Sequence, residues 1–75
     1  MLREDVEPTL IQLLRQKPFQ PFIIDLADGR RLAIGNRCLV IGGGGGTWWT
    51  PDDMLEDFWF DDVRDIRSLA LLGAS

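Results

Sequence analysis

A chain of 75 residues that contains one cysteine and no histidine has to fold without covalent or metal cross-links. The lone thiol, Cys38, cannot form an intramolecular disulfide, and a structural zinc site needs four nitrogen or sulfur ligands. A domain of this size buries only about 60% of the surface that its unfolded chain exposes, so its stability margin is small. Self-association is the remaining common way to bury more surface, and we predict a homo-oligomer.

Charge is distributed unevenly along the chain, whose net charge is −4. Residues 1–41 carry six basic and five acidic side chains, whereas residues 42–75 carry two basic and seven acidic ones. Proteins that bind nucleic acid through phosphate contacts normally present a basic surface. The composition therefore disfavours nucleic-acid binding, although Arg30, Arg31 and Arg37 are close enough in sequence to form a local cluster.

No segment predicts secretion or insertion into a membrane. The first residues are acidic, whereas a signal peptide begins with a basic segment and continues with an apolar one. The longest uncharged, mostly apolar run, residues 38–50, contains five glycines and is shorter than the ~20 residues of a membrane span. With the single free cysteine, these features favour a soluble cytoplasmic protein.

The first element predicted is a helix over about residues 7–16. Pro8 suits the first helical turn, where its missing N–H has no partner to lose. Pro18 ends the helix because the residue before a proline avoids the α region. The apolar side chains recur at helical spacing and form one stripe: Leu10, Ile11, Leu13 and Leu14.

A β-hairpin is predicted next, with strands over Phe22–Ala27 and Arg30–Gly35. Phe22, Ile24 and Leu26 share one face of the first strand, and Leu32 and Ile34 of the second point inward. Asp28-Gly29 between them is a strong signal for a type I′ turn, in which both central residues have positive φ. A side chain at Gly29 would strain such a turn, so we expect Gly29→Val to destabilise the fold. We expect the same change at Gly44 to do little, because the run Gly42–Gly46 has the composition of a loose loop.

The rest of the chain predicts further strands. Cys38–Ile41 and Thr47–Thr50 form a second hairpin around the glycine run, with Cys38 as a small core residue. A polar connection then leads to a strand over Asp57–Phe60. The tail, residues 62–72, fits either a helix or a strand.

These elements make one α+β domain over residues 1–75. The helix, at about residues 7–16, packs on a strongly bent antiparallel sheet of about five strands within a β-rich body at about residues 22–71. An SH3-like or Sm-like small barrel is one form that such a sheet can take.

No motif predicts catalysis, a cofactor or a metal. Without histidine the chain has no catalytic triad and no Cys–His pair. The glycine run is followed by Thr47-Trp48-Trp49 and not by the lysine and helix of a phosphate-binding loop. The acidic residues of the second half do not have the spacing of a calcium loop and indicate a solvated face. We expect no catalytic, cofactor-binding or metal-binding residue, and no enzymatic activity.

The tryptophans are the most informative side chains. Successive residues of a strand point to opposite faces, so either Trp48 or Trp49 faces outward, and Trp59 points away from Phe58 and Phe60. Tryptophan is enriched at the energetic centres of protein interfaces. We therefore predict interface residues among Trp48, Trp49 and Trp59.

One segment resembles a group of small uncharacterised bacterial proteins. Its residues are Pro18-Phe19-Gln20-Pro21-Phe22, followed by Ile24, Leu26 and Asp28-Gly29-Arg30, and the similarity extends over roughly Leu10 to Leu69. The resemblance implies a helix, an elbow, a hairpin and further strands, including a strand through Val63, Ile66 and Leu69. It implies no activity.

The order of elements also resembles, more loosely, the Sm-like barrels, which form rings and bind RNA. The function that we predict is a non-catalytic, self-associating interaction module. The alternatives are an Sm-like nucleic-acid-binding protein that uses Arg30, Arg31 and Arg37, or a small accessory subunit that binds a protein partner in a larger complex.

Overall fold

The fold, described for residues 2–68 in a computed structural model, has one α-helix followed by β-strands. The elements, in chain order, are α1 (Arg3–Leu14), β1 (Phe22–Leu26), β2 (Arg31–Ile34), β3 (Leu39–Gly42), β4 (Gly45–Trp49), β5 (Leu55–Trp59), a single 3-10 turn (Phe60–Asp62) and β6 (Val63–Ser68).

The helix begins four residues earlier than predicted and ends two residues earlier. Val6 and Leu10 are fully buried, one helical turn apart, and Leu13 and Leu14 pack against the same core. Burial of Val6 extends the helix toward the N-terminus. As a result Pro8 lies inside α1, and the prediction that it occupies the first turn is wrong.

The strands of residues 2–68 form two antiparallel sheets of three strands each. The first sheet has the order β2–β1–β6, and the second has the order β3–β4–β5. The α+β class is confirmed, whereas the prediction of about five strands in a single sheet is not matched. Residues 2–68 form six strands because the tail contributes a strand, β6, and the strands divide into two sheets because β2 and β3 do not pair with each other.

The first hairpin is confirmed, but its turn is of another kind. The N–H of Gly29 donates to the carbonyl of Leu26 and the N–H of Leu26 to the carbonyl of Arg30, so the loop has three residues. Gly29 has a φ of 93°, whereas Asp28 does not have positive φ. This is the turn-plus-bulge arrangement usual for a three-residue hairpin loop, and the type I′ prediction is wrong.

The two-residue turn occurs instead in the glycine run. Gly42 pairs with Gly45, and the two residues between them, Gly43 and Gly44, have φ values of 63° and 83°. Positive φ at both central positions is the requirement of a type I′ turn. The prediction of a loose loop over Gly42–Gly46 is therefore wrong, because three of its five glycines belong to β3 or β4.

The core lies between the inner faces of the two sheets and α1. The prediction that alternate residues of the first hairpin point inward is confirmed, and the inner face of the second sheet contributes residues of all three strands. The buried side chains are Val6, Leu10, Phe22, Ile24, Leu26, Leu32, Ile34, Leu39, Trp48, Phe58, Phe60 and Val63.

The tail prediction is settled in favour of a strand as far as residue 68. β6 pairs with β1 along its length, with Ile66 opposite Ile24. The predicted continuation of the body to residue 71, and the implied strand position of Leu69, lie outside the described residues.

Candidate interaction surface

One face of the second sheet points away from the core and carries large apolar side chains. The register places Trp49 opposite Leu55, Trp59 opposite Gly45, and Val40 opposite Thr47, all on this side. Trp49 is 52% exposed and Trp59 63% exposed. We call this side the outer face and define it by four exposed apolar residues: Val40, Trp49, Leu55 and Trp59.

A hollow lies at one end of the outer face. Gly42 and Gly45 pair with each other there and carry no side chains, and the indole of Trp59 forms one wall of the hollow. Its volume is about 620 Å³. Hollows of this size can hold a drug-sized molecule, so a single indole ring fits.

Trp59 also has a structural role in its own sheet. A Cβ at Gly45 would lie 3.2 Å from the Trp59 ring and 2.5 Å from the carbonyl oxygen of Phe58. The indole therefore lies directly against the backbone of β4 at a position that only glycine can occupy. This contact stabilises the hairpin even though most of the ring surface remains exposed.

Trp48, the first predicted interface residue in sequence order, belongs to the core. It is only 7% exposed, and its indole N–H donates to the side-chain oxygen of Asn36 at 3.1 Å. The same oxygen accepts the backbone N–H of Cys38. Asn36 thus satisfies the polar atom of a buried tryptophan, a role for which the sequence carries no local signal.

Trp49 is the least exposed of the four outer-face residues, because its own chain holds one edge of the ring. Its indole N–H donates to Asp53 at 3.3 Å across the β4–β5 turn. Asp53 has a φ of 63°, a conformation that aspartate tolerates better than most residues. The ring of Trp49 is therefore oriented from one edge while its faces stay accessible.

Arg30, the first of the three predicted nucleic-acid residues, connects the first hairpin to β5. Its guanidinium lies 2.9 Å from Asp28 and 3.4 Å from Glu56, and it also donates to the carbonyl of Asp57. The backbone N–H of Arg30 donates to the Asp28 carboxylate, and this bond lowers the pKa of Asp28 below its ordinary value.

Arg31 belongs to a different group of charges, on the outward side of the first sheet. Its Nε lies 3.1 Å from the carboxylate of Asp25, and Arg67 pairs with the same carboxylate from β6. The outward side of the first sheet is thus covered by opposite charges, whereas that of the second sheet carries mainly apolar side chains, with Thr47 and Asp57 between them.

Arg37 binds the end of the helix. Its guanidinium donates to the carbonyls of Leu14 at 3.1 Å and Gln16 at 2.6 Å, and it lies over the ring of Phe19 at 5.3 Å. These contacts satisfy carbonyls that a helix leaves without partners at its C-terminus. The three arginines therefore contact three different parts of the molecule and do not form one cluster.

The described residues bring no metal-binding group together. Within residues 2–68, no group of three or more Cys, Asp or Glu side chains is placed to hold a metal ion. Cys38 is exposed, so its prediction as a core residue is wrong. The strand that it was expected to begin starts one residue later, at Leu39.

Comparison with known proteins gives no further assignment. The chain matches no protein family, no curated protein and no solved structure at a significant level. The one helix in the described part of the chain is too short to cross a bilayer.

Proposed function

We propose that the protein is a non-catalytic interaction module that self-associates through its outer face. The observation that carries the proposal is the position of Val40, Trp49, Leu55 and Trp59, which expose apolar surface together on one side of a sheet. Monomeric proteins rarely expose contiguous apolar patches of more than a few hundred Å² without using them.

The area of the outer face is sufficient for a dimer. From the exposed fractions of its four side chains, the face presents roughly 400 Å² of apolar surface to water. Two copies packed face to face would remove roughly 800 Å² of apolar surface. Because an interface is ~60% apolar, the total buried area would be about 1,300 Å², within the range of specific complexes.

The corresponding free energy is also sufficient. At about 25 cal/mol per Å², the apolar area contributes roughly 20 kcal/mol, against an association cost of about 4–15 kcal/mol. The net free energy of association that remains covers the range from weak to tight binding, and this range includes micromolar affinity.

The arginines support a structural role in preference to a nucleic-acid site. Arg30 and Arg31 pair with carboxylates, and Arg37 binds backbone carbonyls, so phosphate contacts would compete with bonds that the fold already makes. Arg30 borders the hollow of the outer face, but its guanidinium already pairs with Asp28 and Glu56.

For the fold, we propose that the two sheets close into one SH3-like or Sm-like small barrel, with the chain bending at Asn36 and Arg37 as it passes from β2 to β3. The short connection between β2 and β3 and the 3-10 turn between β5 and β6 support this arrangement. Solution NMR tests it: NOEs should join inward side chains of the two sheets, such as Ile34 and Leu39, and their absence would contradict it.

Multi-angle light scattering of the full chain over a range of concentrations tests self-association. We expect a mass that rises with concentration toward twice the 8.5 kDa of one chain. Trp49→Ser should reduce association, because it removes apolar surface from the outer face. Trp49 is a better choice than Trp59, because its ring does not cover a glycine of its own sheet.

The matched control is Leu2→Ser, which removes an apolar side chain that is 64% exposed and belongs to the helix end. It should leave association unchanged. A wild-type mass of 8.5 kDa up to about 1 mM, a concentration at which even weak dimers form, would contradict the proposal.

A further inference from the structure

We infer that the partner is a second copy whose Trp49 inserts into the hollow over Gly42 and Gly45, so that two tryptophans and two hollows interlock in a symmetric dimer. This inference rests on the proposed function, because it specifies how the outer face is used.

The first argument is that the outer face contains both a projection and a matching depression. Trp49 projects at one end of β4, and the hollow lies toward the other end, over Gly42, with the Trp59 indole that covers Gly45 as one wall. A flat apolar face would allow many docking positions, whereas a projection and a depression on one face favour a single position.

The second argument is that the two features are placed reciprocally. Gly45 and Trp49 belong to the same strand and point to the same side, about 13 Å apart at 3.3 Å per residue. A twofold axis that lies between the two faces, perpendicular to the strands and level with Thr47, brings Trp49 of one copy opposite Gly45 of the other. Each Trp49 then lies over the hollow of the other copy, as a self-complementary dimer interface requires.

The same axis brings the remaining apolar residues together. Leu55 is the register partner of Trp49, and Trp59 is the register partner of Gly45. Leu55 of one copy therefore faces Trp59 of the other, and Val40, opposite Thr47, faces Val40. The two sheets pack with nearly aligned strands, which is a common geometry of face-to-face sheets.

One contact in this arrangement is unfavourable. Asp57 is the register partner of Thr47 and accepts its hydroxyl at 2.7 Å, so it lies next to the axis and approaches Asp57 of the other copy. Arg30, which donates to the Asp57 carbonyl, is the nearest compensating charge. Asp57→Asn keeps the Thr47 bond and removes the repulsion, so it should tighten the dimer.

The main test fills the hollow without disturbing the monomer. A Cβ at Gly42 meets no atom within 4 Å, and Gly42 does not have positive φ, so Gly42→Val suits its strand. We expect the dimer dissociation constant to rise at least about tenfold, a loss of 1.4 kcal/mol. Gly35→Val is the matched control, since Gly35 is equally open but lies away from the outer face, and it should have no effect.

Mixing two variants tests the interlocking directly. Trp49→Ser has an open hollow without the projection, and Gly42→Val has the projection with a filled hollow. Each alone forms no interlocking contact, whereas a heterodimer of the two forms one. The mixture should therefore associate more tightly than either variant alone, as measured by light scattering or sedimentation.

The outcomes separate the two proposals. A wild-type dimer that Gly42→Val leaves intact, or that Gly42→Val and Gly35→Val weaken equally, overturns this inference but not self-association. A monomeric wild type overturns both. If circular dichroism shows that Gly42→Val is unfolded, Gly42→Ala replaces it. The inference is then overturned if the Gly42→Ala dimer is not weakened and its mixture with Trp49→Ser shows no gain in association.

Discussion

Two adjacent glycines of β4, Gly45 and Gly46, leave room for aromatic rings that lie on opposite faces of the sheet. Gly46 pairs with Phe58 on the inner face, and a Cβ there would lie 2.7 Å from the Phe58 ring. Gly45 pairs with Trp59 on the outer face, and the indole covers it. Each aromatic ring thus fills the space that a side chain would occupy. The sequence could not reveal this pairing, because five identical residues give no indication of register.

Alanine substitutions distinguish these positions. Gly46→Ala forces the buried Phe58 ring to move, and we expect a loss of about 2 kcal/mol of unfolding free energy, typical of an overpacked core. In a domain of this size that loss lowers the melting temperature by roughly 10 °C. Gly42→Ala meets open space and should be neutral or slightly stabilising. Thermal denaturation followed by circular dichroism measures both, and equal effects would contradict the register.

At the scale of elements, the strands were predicted better than the turns between them. Alternation of apolar residues identified the inward positions of β1 and β2, because it depends only on which side chains are buried. The two turns have the opposite types to those predicted. Asp28-Gly29 belongs to a three-residue loop, and the glycine run contains the tight two-residue turn. Turn type depends on how the strand pairs are aligned across the sheet, which neighbouring residues do not determine.

This exchange changes the expected effect of a side chain at Gly44. Gly29 and Gly44 both have positive φ, where a β-branched residue is strained by about 1–2 kcal/mol. We therefore expect Gly29→Val and Gly44→Val to lower the unfolding free energy by similar amounts, contrary to the sequence prediction of little effect at Gly44. Chemical denaturation of the two variants measures the difference. A neutral Gly44→Val would show that the glycine run is a loose loop after all.

At the scale of the whole molecule, the long-range contacts could not be predicted from the sequence. The outward direction of Trp59 and of one residue of the Trp48–Trp49 pair followed from alternation alone. The arginine contacts did not, because Arg37 meets the helix end at Leu14 and Arg30 meets β5 only after the chain has folded. Division of the strands into two sheets is equally non-local, since the break between β2 and β3 does not specify which strands pair with each other.

The central position of β1 in the first sheet has a consequence for the rate and order of folding. β1 pairs with β6, from which it is separated by about half of the chain, whereas β3, β4 and β5 follow one another through short turns. Closing a long loop costs more entropy than closing short ones, so local pairings form earlier. We expect pulse-labelled hydrogen exchange to protect the amides of β4 before those that join β1 to β6. Simultaneous protection of both sheets would contradict this order. If the order is confirmed, the outer face forms while the first sheet is still incomplete.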